Sequence, residues 1–268
     1  MIEIFQNIRE IYDFRKPVED LAHFVEFFSE SSPSGFDQYF AKGHSQSGMF
    51  ASWTPTFYIN LGTPYRIQLD KVFHHIGATD DILILRNGQV TRHILPTDLI
   101  FTVKFYPGGL EAVLGISQTK LDHKVIPLGQ VLPPSLLMKM KQPITFTERV
   151  LIIQEYLLLQ RAKRAKKDHY LKIVNDAIGE YHTTGMQLNT SQVAERLFLT
   201  SKSINRYFSK VIGLPPKAYF SILRTRAALT AFIQTRETFD PWDYGYYDLS
   251  HFSKDVIKLT GQRLSDTL

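Results

Sequence analysis

GYYDLSHFSKDVIKLTG, residues 245–261, repeats in outline a stretch whose last residue lies 48 positions earlier, TSKSINRYFSKVIG, residues 200–213. Superposing the terminal glycines, Gly213 and Gly261, sets Thr200 on Asp248. Both are residue types that cap a helix by accepting a hydrogen bond from its first free N–H groups. Ile204 then falls on Phe252, Phe208 on Val256 and Ile212 on Thr260, so an inward face recurs. Arg206 falls on Lys254 and Lys210 on Lys258, so a basic outward face recurs as well. Agreement of cap, core face, charged face and final glycine predicts two equivalent helices. Ahead of the second, Gly245 can take the backbone angles of a tight turn, and Tyr246 packs inward beside Phe252. Asp248, Ser250 and His251 are also the residue types of a hydrolase triad, but no nucleophile elbow surrounds Ser250 and nothing near it resembles an oxyanion site. The stretch therefore reads as a turn and a cap, with His251 structural.

From residue 168 onward the chain reads as helices only. DHYLKIVNDAIGEYH is one, Thr190 is placed to cap SQVAERLF, and Thr200 to cap SKSINRYFSKV. Pro216 opens PKAYFSILRTRAALTAFIQ at the first helical position, where a missing N–H costs nothing. The two short helices meet at LFLTS, residues 197–201, as a tight helix–turn–helix.

On these residues, 168–268 resembles the DNA-binding domain of AraC/XylS-type bacterial transcription regulators. The family's second-motif pattern, G-[FY]-x-x-x-S-H-F, stands as Gly245 to Phe252, and its first unit stands as AERLFLTSKSINRYFSKVIGLPPKAY, with Gly213, Pro216 and Tyr219. The resemblance implies two helix–turn–helix units joined by a long helix, each presenting a recognition helix to a major-groove segment. Lys202, Asn205 and Arg206 match the positions that read bases, where Arg suits guanine and Asn adenine. On the second helix the base-contact candidates are Leu249, Ser250 and Lys254, a poorer reading face expected to add affinity more than specificity. Lys210, Lys217, Arg224 and Lys258 are phosphate candidates. Three departures stand out: Phe198 replaces the usual turn glycine, FDPWDY replaces the second unit's usual first helix so that Asp240 and Pro241 start a very short one, and Leu264 replaces the proline after the final glycine.

The rest of the chain is read more coarsely. It has 268 residues, enough for two domains, with 44% apolar and 21% charged residues, which marks a globular chain. Its net charge of +5 suits a polyanionic partner, although the C-terminal third is only slightly positive and its DNA affinity is expected to depend strongly on salt. No cysteine is present, which removes disulfides, thiolate metal sites and cysteine nucleophiles. The start MIEIFQNIREIYDF lacks the apolar segment of a signal peptide and no run is long enough for a membrane span, so a cytoplasmic protein with no membrane partner is expected.

FYINLG, YRIQL, DILILRNGQVTRHIL and LIFTVKFYPGG are β-rich runs between about 48 and 117, and Asn87-Gly88 signals a hairpin. A helix is expected from a cap near Thr147, ending in the basic run Arg161, Lys163, Arg164, Lys166 and Lys167, which complements the helix dipole. Its apolar stripe suits core packing better than a dimer seam. The expected fold is thus α+β. Residues 1–145 are a mostly β sensor or regulatory domain, 146–167 a connecting helix, and 168–268 an all-α domain of two helix–turn–helix units.

FTVKFYPGGLEAVLGIS, residues 101–117, resembles the sensor-like domain of some of these regulators. The resemblance implies a domain that senses a small-molecule effector, dimerises, or both, and for an activator it brings RNA polymerase in as a partner. Tyr39, Trp53, Phe57 and Tyr65 are candidates for core or for a pocket wall. His74 and His75, being adjacent, point to opposite faces of a strand and do not make a shared metal site, so no metal or cofactor is expected. Alkyl-transfer repair enzymes with this type of DNA-binding unit need a cysteine acceptor, and a cupin-like metal enzyme needs ligand spacings this chain lacks, so no catalytic residue is expected. The alternative that stays open is a protein interaction module that has lost sequence-specific DNA binding.

Overall fold

The computed structural model of the chain describes residues 6–41, 46–122, 124–164 and 169–266. Two units emerge, Met1–Met49 with Trp53–Lys166, and Phe50–Ser52 with Lys167–Leu268. Lys166 and Lys167 of the expected basic run lie outside the described residues.

In the first unit the aromatic and β-branched runs form ten strands, among the described residues, in two antiparallel sheets. They are β1 (Tyr12–Arg15), β2 (Val25–Ser31), β3 (Gln46–Met49), β4 (Pro55–Asn60), β5 (Tyr65–Leu69), β6 (Val72–Ile76), β7 (Ile82–Leu85), β8 (Val90–His93), β9 (Ile100–Phe105) and β10 (Ile126–Pro127). The larger sheet runs β1-β2-β9-β4-β7-β10 and the smaller β3-β8-β5-β6. They are accompanied by the helices α1 (Gln6–Glu10), α2 (Pro33–Ala41), α3 (Gly109–Leu114), α4 (Pro134–Met140) and α5 (Phe146–Ala162).

Strand alternation gives the larger sheet two different faces. Phe57 pairs with Val103 and Leu83 across neighbouring strands, and this face is apolar except for Glu30, which lies opposite Phe101 and pairs with Arg149 of α5. Leu110 of α3, Met140 of α4, and Val150, Ile153 and Leu157 of α5 bury it in one core with Phe101 and Phe105. The opposite face carries Ser29, Thr56, Tyr58, Thr102 and Lys104, all buried and adjacent by register. The smaller sheet meets this face through Arg92 of β8, which donates to Tyr12 of β1, and through Met49 of β3, whose sulfur accepts from the Tyr58 hydroxyl.

Two expectations need correction here. Asn87-Gly88 does not turn a hairpin, because β7 pairs with β4 and β10 in one sheet while β8 pairs with β3 and β5 in the other. The segment instead carries the chain between sheets. Asn87 Nδ2 donates to Asp122, and a Cβ on Gly88 would fall 2.4 Å from Asp70 Oδ1. The two-residue hairpin lies between β5 and β6, with Asp70 at φ +51°. The α5 cap is Thr145, not Thr147. Thr145 Oγ1 accepts from the Glu148 N–H at 3.3 Å, and Glu148 Oε2 accepts from the Thr145 N–H at 2.8 Å. Thr145 has the glutamate three residues on that completes a capping box, whereas Thr147 has Val150 there. Those bonds hold the Glu148 carboxyl below its ordinary range.

The second unit is built from α6 (His169–Thr183), α7 (Thr190–Arg196), α8 (Ser201–Val211), α9 (Pro216–Gln234) and α10 (Leu249–Thr260). A short 3-10 turn, Pro241–Tyr244, precedes α10. Thr190 proves to be the first residue of α7 rather than its cap. Asn189 caps it and forms the reciprocal box with Gln192, three residues on, which Thr190 lacks. Thr200 caps α8, and Pro216 opens α9 at its first position. Tyr181 of α6 stacks on Phe220 of α9 with ring centroids 4.2 Å apart, and Phe208 of α8 meets Phe220 edge-on at 5.4 Å. Phe232, Phe239, Tyr246 and Phe252 form the equivalent aromatic centre at the far end of α9. Burying a side chain the size of Phe contributes about 2–3 kcal/mol, so each recognition-helix candidate is fixed by a core of its own.

The earlier unit's turn holds Phe198 at φ +56° with its ring 98% exposed. A left-handed conformation costs a non-glycine residue about 1–2 kcal/mol, and nothing is gained from burial there. Replacing it by glycine removes that strain against about 0.4–1 kcal/mol of extra chain entropy in the unfolded state. Phe198→Gly is therefore expected to raise stability by roughly 0.5–1 kcal/mol in a urea titration. A less stable variant would show that the ring has a folding role its exposure hides.

Candidate nucleic-acid interface

The two helices matched by sequence are built alike. α8 buries Ile204, Phe208 and Val211, and α10 buries Phe252, Val256, Leu259 and Thr260. Each is capped at the predicted residue: Thr200 Oγ1 accepts from the Ser203 N–H at 3.1 Å, and Asp248 Oδ1 from the His251 N–H at 2.6 Å. Each is followed by a glycine in the left-handed region, Gly213 at φ +87° and Gly261 at φ +72°.

On α8 the exposed face carries Ser201, Lys202, Asn205, Arg206, Ser209 and Lys210. Four of these side chains have partners, among them Ser201, whose hydroxyl donates to Ser191 Oγ of α7 at 3.3 Å. Asn205 Nδ2 donates to the Ser201 carbonyl at 2.7 Å, one turn back. Arg206 lies over the Tyr207 ring at 5.1 Å and donates to its hydroxyl at 3.3 Å. Lys210 Nζ sits 3.7 Å from the centre of the Tyr170 ring. Tyr170 and Tyr207 touch at 5.3 Å, so two aromatics from α6 and α8 support the basic side chains. Sequence reasoning misses both tyrosines. Their signal is two aromatics beside a basic stretch, but their meeting depends on how α6 packs on α8.

On α10, Leu249, Ser250, His251, Lys254 and Lys258 are exposed. Trp242, 61% exposed, and Tyr247, 72% exposed, pack at 5.4 Å next to the helix start and extend its apolar character beyond Leu249. The Pro241–Tyr244 turn is opened by Asp240, whose Oδ1 accepts from the Trp242 N–H at 2.9 Å. His251 contacts Tyr246 edge-on at 5.1 Å.

Gly245 closes that turn at φ +69°. A Cβ there would lie 3.6 Å from Arg224 Nη1, an ordinary contact, so the requirement is conformational and not spatial. Gly245→Val is expected to cost about 1–2 kcal/mol, and Gly245→Asn clearly less because Asn tolerates this region. Equal effects of the two substitutions on the denaturation midpoint would refute this account.

The four phosphate candidates separate into two kinds. Lys210, Lys217 and Lys258 are exposed. Arg224 is half-buried, lies 4.6 Å over the Tyr246 ring and sits 4.0 Å from Asp255 Oδ2. Tyr246 itself is fully buried, with its hydroxyl 2.7 Å from Thr225 Oγ1, and burial raises its pKa above the ordinary tyrosine value. Lys217 and Arg224 also line a cleft of about 490 Å³ with Gln187, Asn189 and Ser191, beside the start of α7. In the first unit, Tyr39, Phe57 and Tyr65 are buried and Trp53 is half-buried at φ +54°. His74 is half-buried and His75 exposed on β6, and no cluster of three or more potential metal ligands occurs among the described residues.

The geometry thus defines an α+β chain whose helical unit holds two capped helix–turn–helix units on one long helix, the arrangement the sequence resemblance implies. No family model and no curated protein matches the chain. Among solved structures it is similar to ToxT from Vibrio cholerae O395, at 7% identity over 83% of this chain and 95% of that one, with a TM-score of 0.48. It is similar also to ToxT from Vibrio cholerae strain SCE256 with an unsaturated fatty acid bound, at 10% identity over 83% and 92%, with a TM-score of 0.46. The AraC-like transcriptional activator CuxR matches at 13% identity over 76% and 82%, with a TM-score of 0.29.

Proposed function

We propose that this chain is a sequence-specific DNA-binding transcription regulator of the AraC/XylS type, acting as an activator in the bacterial cytoplasm. The observation that carries the reading is the pair α8 and α10. Each has a cap at its start, a buried apolar face, an exposed basic face and a closing glycine, and α9 runs between them. Two such faces suit successive major-groove segments of double-stranded DNA. Lys202, Asn205 and Arg206 read bases from α8, while Leu249, Ser250 and Lys254 make a less selective contact from α10. Lys210, Lys217 and Lys258 neutralise phosphates, and Arg224 steadies the turn before α10. No catalytic step is assigned. The β unit controls the helical unit through a small-molecule effector or through homodimer formation, and RNA polymerase is the downstream partner.

The test is retention of sheared genomic DNA by the full chain at low and moderate salt, followed by sequencing. A shared motif is expected, and its length reports whether one or both helices read bases. Retention without a motif would remove sequence specificity, and no retention at either salt would favour the interaction module. Lys258→Ala is expected to weaken binding to every fragment alike and to make the slope of log affinity against log salt shallower by about 1. An effect confined to one sequence would contradict its phosphate role.

A further inference from the structure

Among the described residues, the buried cations of the β unit are matched to carboxylates with one exception. Arg92 pairs with Asp98, Lys104 lies 3.0 Å from Glu26, and Arg149 lies 3.0 Å from Glu30. Arg86 is 3% exposed, and no carboxylate among the described residues lies within ion-pair distance of it. Its Nε and Nη2 have no hydrogen-bond partner among the described residues. Those two N–H groups share one edge of the guanidinium, the edge that makes two parallel hydrogen bonds to a single carboxylate. A buried charge left in this state is strongly disfavoured unless something pairs with it.

Arg86 also lines a cavity of about 30 Å³ on the polar face of the larger sheet. Thr56, Tyr58 and Thr102 contribute hydroxyls to its wall, and Phe27 and Met49 contribute apolar surface. A sheet face closed off by other elements is ordinarily apolar. Here it combines a free cationic fork, hydroxyl groups and a small apolar margin.

We propose that this cavity is a binding site for a small carboxylate anion, held bidentately by Arg86 with its short apolar remainder against Phe27 and Met49. The volume is about that of one water, enough for part of a carboxylate head. The remainder is admitted by movement of Met49, an unbranched and adaptable side chain. Lys104 is already paired with Glu26, so the described lining offers no second free cation for a dianion such as phosphate. Chloride would leave the parallel fork half used. As the effector site of the β unit, the cavity rests on the regulatory reading above, but the binding itself needs no DNA.

The test is thermal unfolding of the full chain without DNA, titrated with sodium acetate while sodium chloride holds ionic strength constant. Acetate is expected to raise the midpoint in step with the logarithm of its concentration once that exceeds its Kd, by about 5 °C at a hundredfold excess. Arg86→Met should lose this response and unfold no earlier than the parent in chloride, since an unpaired charge has been removed. Arg86→Lys keeps the charge without the fork and should bind acetate at least tenfold more weakly. A midpoint no higher in acetate than in chloride on the parent chain would overturn the proposal, as would an undiminished acetate response in Arg86→Met. Because DNA is absent, such a failure leaves the regulator reading standing. A failed genomic pull-down leaves the carboxylate site standing in turn.

Discussion

Tyr246→Ala is expected to lower the stability of the helical unit by about 3–5 kcal/mol, the range for emptying a large aromatic from a core. Tyr246 is fully buried, with Phe252 at 5.2 Å and the Arg224 guanidinium at 4.6 Å from its ring. Its hydroxyl bridges Thr225 at 2.7 Å and Asp255 at 3.3 Å, linking α9 to α10. Removing the ring opens a cavity, strips Arg224 of its stacking partner and loosens the turn that starts α10. Tyr246→Phe should cost only about 1 kcal/mol, because Thr225 keeps its bond to the Ser221 carbonyl at 2.7 Å. The pH dependence has a definite sign. Burial raises the phenol's pKa in the folded state, so its contribution is complete below the unfolded value of 10.0 and falls as pH rises beyond it. Urea titrations followed by circular dichroism measure all of this. A loss below about 1 kcal/mol for Tyr246→Ala would mean that α10 is held by something other than this cluster.

Much of the helical unit is legible in the sequence because its information is local. A cap, an apolar spacing of four and three, and a closing glycine all fall within fourteen residues, and the repeat supplies a second copy to compare. The misplaced caps are instructive. Thr147 and Thr190 are good capping types, but the decisive partner is the residue three positions later, Glu148 for Thr145 and Gln192 for Asn189. The β unit is legible only as strands. Whether Ile82–Leu85 and Val90–His93 pair with each other or with strands of different sheets depends on contacts far along the chain, such as Asn87 with Asp122. Strand β2, Val25–Ser31, carries glutamates and serines that look unlike a central strand. They are accommodated because Glu26 and Glu30 find Lys104 and Arg149 from distant segments. The unmatched Arg86 is invisible in the sequence for the same reason, since a missing partner shows only once every other partner has been placed.

The base-reading assignment makes the second large prediction. Arg206→Ala is expected to weaken binding to the preferred site by about 1–3 kcal/mol, roughly ten- to more than a hundredfold, and to relax the preference at one base pair. Arg206 is exposed on α8, four residues before Lys210, and its guanidinium rests against Tyr207 and not against a carboxylate. Leaving that perch gives up about 0.5–1 kcal/mol of exposed cation–π contact, less than a bidentate bond to guanine returns. Asn205 must likewise release the Ser201 carbonyl before it can bond adenine, so its net gain is smaller and Asn205→Ala should be the milder variant. Arg206→Lys separates charge from geometry. If Arg206 reads a base, lysine should restore affinity for random DNA yet leave the relaxed preference in place, because a point charge cannot reproduce the fork. If lysine restores both, Arg206 contacts a phosphate. Parallel losses on specific and random DNA for the alanine variant would point to a phosphate contact as well, and base reading would then pass to Lys202 and Asn205.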